Sequence, residues 1–188
     1  MGSLELRKGD KIHTRNMEIS TYDGGDNHII VEGQLRDDRL VSTYHHISGK
    51  KRPPQNVHHM IVRMCIDCAS LSIKEVSVEM PGAPNEECGQ TAESLNKLEG
   101  IRIVPGFTSR VKKLLGGTRG CLHLTTLVLA MAPAIMQGFW AFRSRTQNNG
   151  KISTEMVEKY LLNTCWVWRK EGPLAEELFK SLSEESDT

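Results

Sequence analysis

The chain has 188 residues, of which 38% are hydrophobic and 25% charged, which suits a soluble globular domain with a real core. Its formal net charge of +1 gives no sign of a nucleic-acid-binding protein. Five cysteines fit poorly with a closed disulfide framework, and no charged-then-apolar leader opens the chain. We therefore predict a cytoplasmic protein without a nucleic-acid partner, whose cysteines are free or bound to metal.

The first half of the chain predicts an antiparallel sheet of about four strands. Apolar residues indicate a hairpin of residues 13–20 and 28–35 around turn-forming residues 23–27. A second hairpin, residues 57–67 and 71–80, is the predicted centre of the sheet. Residues 44–56 are basic and contain proline, which predicts an exposed loop.

The second half of the chain predicts helices. Helical patterns cover residues 88–98, 107–115 and about 121–142, and two amphipathic tail helices follow at 153–160 and 174–182. Strands followed by helices are typical of an α+β fold, here a sheet packed against one long buried helix and shorter helices. We predict a single domain at residues 12–142 and a helical C-terminal extension at residues 143–188.

The long helix also fits a membrane-spanning segment, because residues 122–140 are mostly apolar and close to a bilayer span in length. However, His123, Pro133 and Gln137 interrupt the apolar run, and no second span is present. A helix that is apolar on nearly all sides is also what a small domain needs at its centre. We therefore predict a buried helix and no membrane association.

The segment with the clearest chemical character is the glycine-rich run at residues 116–124. It places Cys121 and His123 at the predicted start of the long helix. The helix dipole and the nearby Arg119 favour the thiolate form of Cys121, which binds metals and attacks electrophiles. Residues two apart point in roughly opposite directions on a helix, so these two can share a ligand only if Cys121 lies in the loop or first turn. If any residue is catalytic, we expect Cys121.

Two other segments carry ligand-type side chains. Cys88 follows two glutamates at the predicted start of another helix, and His58 and His59 precede the central strand. Adjacent strand residues face opposite sides, so only one of these histidines can face a common site, and the sequence leaves open which. Two cysteines and two histidines suit tetrahedral zinc, and thiolates suit an iron–sulfur cluster. The predicted metal ligands are His58, Cys88, Cys121 and His123.

The remaining cysteines are weaker candidates. Cys65 and Cys68 have the Cys-x-x-Cys spacing, but one lies in a predicted strand and the other at its turn, so their side chains diverge. We predict a structural role for both. Cys165 either closes over the site or packs against the core.

Several of these segments resemble a bacterial family of domains of unknown function, number twenty-eight eighty-nine in that series. The likeness is carried by residues 98–107 and 115–124, by residues 31–37 and 57–60, and less firmly by residues 163–165. It covers roughly residues 12–168. The family has no assigned activity. It usually shows an acidic turn where this chain has Cys68, so the resemblance implies no site role for that residue.

The order of elements is also similar to that of the NifU-like iron–sulfur scaffold proteins. In both, a hairpin precedes a cysteine that opens a helix, and a cysteine and a histidine open a later helix. The resemblance implies that His58 (or His59), Cys88, Cys121 and His123 converge on one metal. The chain departs from that pattern, because one residue separates Cys121 from His123 and the early ligand would be a histidine.

Three functions therefore stay open. The first is a protein that binds zinc or an iron–sulfur cluster, and the second is a cysteine-dependent small-molecule enzyme with Cys121 as nucleophile and a histidine as base. The third is a module without catalysis, which binds an anion at Gly117, Arg119 and Gly120 or interacts with another protein. Aromatic residues at 139–142 and 166–168 either cover the core or form an interface with a second copy or another protein.

Overall fold

Four long antiparallel strands form the sheet on which the rest of the chain packs. A computed structural model describes residues 8–145 and 153–186. The sheet has the order β1-β2-β5-β6 and contains β1 (His13–Gly25), β2 (His28–Arg39), β5 (Gln55–Asp67) and β6 (Ser72–Gly82). The two predicted hairpins are confirmed with longer strands, but the centre of the sheet consists of one strand of each hairpin, β2 and β5, and not of the second hairpin. The predicted loop at residues 44–56 contains part of a short two-stranded hairpin of β3 (Thr43–Tyr44) and β4 (Lys51–Arg52).

The alternation of the sequence sets the two faces of the sheet. Along β2, Val31 and Leu35 are fully buried, whereas the neighbouring Glu32 and Gln34 are only half-buried on the opposite face. The turn before β2 places a non-glycine residue, Asn27, at φ 61°, which asparagine tolerates better than most residues. One face of the sheet therefore belongs to the core, and the other is only partly buried.

Helices follow the sheet, so the predicted α+β class is confirmed. They are a 3₁₀ helix at Glu86–Leu98, α1 (Phe107–Leu115), a short 3₁₀ turn at Gly117–Arg119, α2 (Leu122–Ser144), α3 (Thr154–Tyr160) and α4 (Pro173–Ser186). The helix predicted at residues 88–98 is present but of the 3₁₀ type. Residues 146–152, between α2 and α3, lie outside the described residues. The division at residue 143 stays a prediction.

Helix α2 lies across β1, β2 and β5 and begins at one end of these strands. Its buried face includes Leu127, Met131 and Ile135. The helix approaches the sheet closely, because a Cβ at Gly138 would lie 2.4 Å from Thr21 atoms and one at Gly33 would lie 2.7 Å from the Met131 sulfur. These contacts determine the orientation of α2 on the sheet, with its C-terminal half over the end of β1 and its start near the end of β2.

By length and composition alone, α2 would also pass as a membrane-crossing helix. Of its most apolar 18-residue stretch, 39% is buried within the structure. The core helix of a soluble protein meets the same criterion, and the contacts of α2 with the sheet agree with the predicted core position. Absence from membranes and a cytoplasmic location stay predictions.

Candidate functional site

The ligand-type residues meet at the end of the sheet where β1 begins, β2 ends and β5 begins. Strand register pairs Arg15 with Asp37 and Asp37 with His58, so these three side chains lie side by side on the face covered by α2. His123, the second residue of α2, reaches the same place from the helix. Three strands and one helix start therefore supply the site.

Asp37 is the buried centre of this group, with 2% of its surface exposed. The Arg15 guanidinium donates from Nε to Oδ1 and from Nη2 to Oδ2, both at 2.7 Å. This bidentate bond lowers the pKa of Asp37, with a smaller contribution from His58, although burial opposes the shift. The Nε2 of His13 lies 3.5 Å from Oδ1. Asp37 is therefore an ionised carboxylate held in a fixed orientation.

Two histidine rings lie against this carboxylate. His58 donates from Nδ1 to Oδ2 of Asp37 at 3.0 Å, and the Nε2 of His123 lies 3.7 Å from the same oxygen. The two rings stack with centroids 3.7 Å apart and an angle of 28° between their planes. Burial lowers the pKa of His123, and the nearby His58 and Arg15 lower it further. His123 is therefore neutral near pH 7, the form in which a histidine binds a metal or accepts a proton.

Cys121 contacts the opposite side of the His123 ring, where its Sγ lies 3.8 Å from Nδ1. Cys121 is the N-cap residue of α2 and has an extended backbone, with φ −93° and ψ 132°. Cys121 therefore precedes the helix. This position allows its side chain to contact His123, which two residues within a regular helix could not do. The ring of His123 therefore faces Asp37 with its Nε2 and Cys121 with its Nδ1.

The structure brings together two of the four predicted ligands and adds a carboxylate. One ligand atom each from Asp37, His58 and His123 lies within 4.8 Å of the others. Within residues 8–145 and 153–186, no group of three or more such side chains includes a cysteine. Cys88 lies half-buried in the 3₁₀ helix and Cys121 beside His123, both outside the triad. Of the four predicted ligands, the triad contains the two histidines, and metal binding by any of the four stays a prediction.

Sequence reasoning missed Asp37 although a signal was present. Residues 31 and 35 face the core, and the same alternation extended by two residues places residue 37 on that face. An acidic residue at an inward-facing position is unusual, since buried carboxylates need a partner. The predicted strand ended at residue 35, whereas β2 continues to Arg39.

The structure also decides between the adjacent histidines. His58 pairs with Asp37 in the strand register and lies on the face covered by α2. His59 lies on the other face, where the side-chain amide of Gln34 donates to its Nε2. His58 is therefore the histidine at the site.

The glycine-rich run shapes the entry to α2. Gly117 has φ +64°, which favours glycine, and a Cβ at Gly120 would lie 2.9 Å from the carbonyl oxygen of Leu115. Arg119 is exposed, and its Nη2 lies 3.5 Å from the carbonyl oxygen of Lys112. The anion site predicted at Gly117, Arg119 and Gly120 stays a prediction.

The five cysteines are all free. Burial raises the pKa of Cys68 to about 11, and burial also raises the pKa of the half-buried Cys65. Both are therefore protonated thiols near pH 7, in keeping with the structural role predicted for them. Cys165 is exposed and does not pack against the core.

Comparison with known proteins gives one finding. The family described as "Protein of unknown function (DUF2889)" matches residues 13–137, a range that contains Asp37, His58, Cys121 and His123. No curated protein and no solved structure matches the chain, so the likeness to the NifU-like scaffold proteins stays a prediction. On the match over residues 13–137, the chain belongs to the family "Protein of unknown function (DUF2889)".

Proposed function

We propose that Asp37, His58 and His123 bind a divalent transition-metal ion of the Zn²⁺ or Fe²⁺ type. The observation that carries the proposal is the convergence of a buried carboxylate and two ring nitrogens within 4.8 Å. Two histidines and one carboxylate are the ligands of many catalytic zinc and non-haem iron sites. Three protein ligands leave at least one coordination position for water or a substrate.

The surroundings of the three residues support this assignment. Each carboxylate oxygen has two lone pairs, so Asp37 can keep its bonds with Arg15 and still face a cation once His58 turns from Oδ2 to the metal. Metal-binding histidines commonly use their second ring nitrogen for a supporting contact, and Cys121 occupies that place beside His123. Cys121 is thus a supporting partner of the metal site in this proposal.

Metal binding also requires a small rearrangement of the three side chains. Ligand atoms around a tetrahedral zinc ion lie about 3.4 Å apart, which is closer than the 4.8 Å limit within which these atoms lie. The stacked rings of His58 and His123 must also rotate, because a metal binds in the plane of an imidazole. We expect rotation of the side chains to be sufficient for both changes.

Metal titration of the chelator-stripped protein tests the proposal. We expect one Zn²⁺ or, without oxygen, one Fe²⁺ per chain in isothermal titration calorimetry. His58→Ala and His123→Ala should each weaken binding more than roughly 100-fold, the upper end of the cost of losing a supporting partner. His28→Ala is the matched control, since His28 lies at the opposite end of β2.

The variant Cys121→Ser separates a supporting role from a ligand role. We expect it to weaken binding by about 10-fold, as the loss of a supporting partner does. A loss as large as that of His123→Ala would make Cys121 a ligand. Absence of stoichiometric metal in the unaltered protein, with either ion, would end the proposal.

A second function is favoured by one contact, the 3.8 Å between the Cys121 sulfur and Nδ1 of His123. We propose as the alternative that this pair is the nucleophile and base of a cysteine-dependent enzyme. Iodoacetamide at neutral pH should then label Cys121 faster than the exposed Cys165, and His123→Ala should remove the difference. Labelling of Cys121 at the rate of Cys165 would contradict this alternative.

A further inference from the structure

A small basic pocket lies beside the triad of Asp37, His58 and His123. Its volume of about 300 Å³ lies at the lower limit of the range typical of small-ligand sites. It is lined by His13, Arg39, Thr43, Tyr44, His45, His46, Arg52 and Val57. This lining contains two guanidinium groups, three imidazoles and two hydroxyls, and no carboxylate. The pocket is therefore built to receive hydrogen-bond acceptors with negative charge.

Arg39, which lines the pocket, has one guanidinium donor, Nε, that makes no hydrogen bond with the described residues. Its Nη2 donates to the carbonyl oxygen of Pro53 at 2.7 Å, whereas its Nε is buried without a hydrogen-bond partner. A buried charged donor without an acceptor is costly, and such a group in a folded protein calls for an explanation. The same guanidinium lines the pocket, and its planar set of N–H donors matches the geometry of phosphate and carboxylate groups.

The hairpin of β3 and β4 contributes further donors. The Nδ1 of His45 lies 2.8 Å from the hydroxyl oxygen of Ser48, and this contact within the hairpin holds the imidazole beside the pocket. Arg52 pairs with Thr43 across the same hairpin, which places a second fixed positive charge next to a hydroxyl. Donors from three separate segments, at residues 13, 39 and 43–52, therefore line one pocket.

His13 connects this pocket with the triad. It lines the pocket, and its Nε2 lies 3.5 Å from Oδ1 of Asp37. The negative charge of Asp37 does not oppose an anion here, because Arg15 neutralises it through a bidentate bond. An anionic group in the pocket would thus lie one side chain away from the triad.

We propose that this pocket binds the phosphoryl or carboxylate group of a small-molecule substrate and presents the rest of the molecule to the triad. Anion binding depends only on the residues that line the pocket, whereas the role of the pocket in binding a substrate rests on the proposed metal site. The volume of about 300 Å³ restricts the substrate to a small molecule.

Binding of inorganic phosphate and of malonate to the full-length, metal-free protein tests the proposal. Titrations followed by NMR, including the Nε–H signals of arginine, should show saturable shifts at Arg39 below about 10 mM ligand. Tighter binding of phosphate assigns a phosphoryl group, and tighter binding of malonate assigns a carboxylate. Arg39→Gln should weaken binding roughly 10- to 100-fold, as expected for the loss of a charge-assisted hydrogen bond.

Two further variants keep the test decisive. Arg52→Gln removes the second charge and should also weaken binding, which covers the case in which Arg39→Gln fails to fold. Arg36→Gln is the matched control, since Arg36 pairs with Asp38 and does not line the pocket. Binding of neither anion, or equal weakening in Arg36→Gln, would overturn the proposal. Anion binding without metal binding would refute the metal site alone.

Discussion

Replacing Asp37 by asparagine is expected to lower the free energy of unfolding by about 2–4 kcal/mol at pH 7. The variant removes the charge of a buried carboxylate and replaces one of its two acceptor oxygens by an NH₂ donor, so Arg15 and His58 can no longer keep all their hydrogen bonds to this side chain. Breaking a fully buried ion pair costs more, but 37% of the Arg15 side chain is exposed and water screens part of the loss. Urea denaturation of the metal-free protein measures the difference.

The effect of Asp37→Asn should depend on pH with a definite sign. The pKa of Asp37 is lower in the folded protein than in the unfolded chain, chiefly because of the Arg15 hydrogen bonds. Its contribution is therefore fully present above the unfolded pKa, about 3.9, and is lost as pH falls through the folded pKa. The difference between the two proteins should shrink below about pH 4. A difference that stays constant from pH 7 to pH 3 would contradict this account.

Asp38→Asn provides the control for both measurements. Asp38 also has a lowered pKa, mainly through its bond with Arg36, but that bond lies in contact with solvent. We therefore expect a smaller loss of stability at pH 7 than for Asp37→Asn. Equal losses would show that burial of Asp37 adds nothing to its ion pair.

Replacing Phe139 by alanine is expected to cost about 3–5 kcal/mol of unfolding free energy. Phe139 is 2% exposed, and its ring lies 5.1 Å from that of Trp140 and 6.4 Å from that of Tyr160. Tyr160 belongs to α3, so Phe139 joins the long helix to the C-terminal part of the chain. The loss combines the removed apolar surface with the cavity left behind.

Hydrogen exchange shows whether this contact holds α3 in place. In Phe139→Ala, the amides of α3 (Thr154–Tyr160) should exchange faster relative to those of β5, in addition to the global loss of stability. Leu122→Ala is the control on the same helix, because Leu122 is 75% exposed and its truncation should change stability by less than about 0.5 kcal/mol. Unchanged exchange in α3 would mean that other contacts hold it.

The aromatic residues proposed for an interface differ in their surroundings. Phe139 is buried and Trp140 packs partly against the core, so these residues cover the core, one of the two roles predicted for them. Trp166 is 78% exposed, and the guanidinium of Arg169 lies 4.3 Å from its ring centroid. An interface through Trp166, with a second copy or another protein, stays a prediction.

Local sequence patterns determined most of the fold. Alternation with a period of two predicts strands and their buried faces, and glycine and asparagine mark the turn before β2, because these effects act between near neighbours in the chain. The same reasoning identified the start of α2 with Cys121 and His123 as a place of chemical interest, and the structure brings these two side chains into contact.

Only the tertiary structure decided which residues share the site. Arg15, Asp37 and His58 are far apart in the chain and become neighbours through the register of three strands. His123 joins them because α2 begins over that end of the sheet, whereas Cys88 lies in a different helix outside the triad. Periodicity specifies the face on which a side chain lies, but strand pairing and helix docking depend on long-range packing, which no local pattern contains.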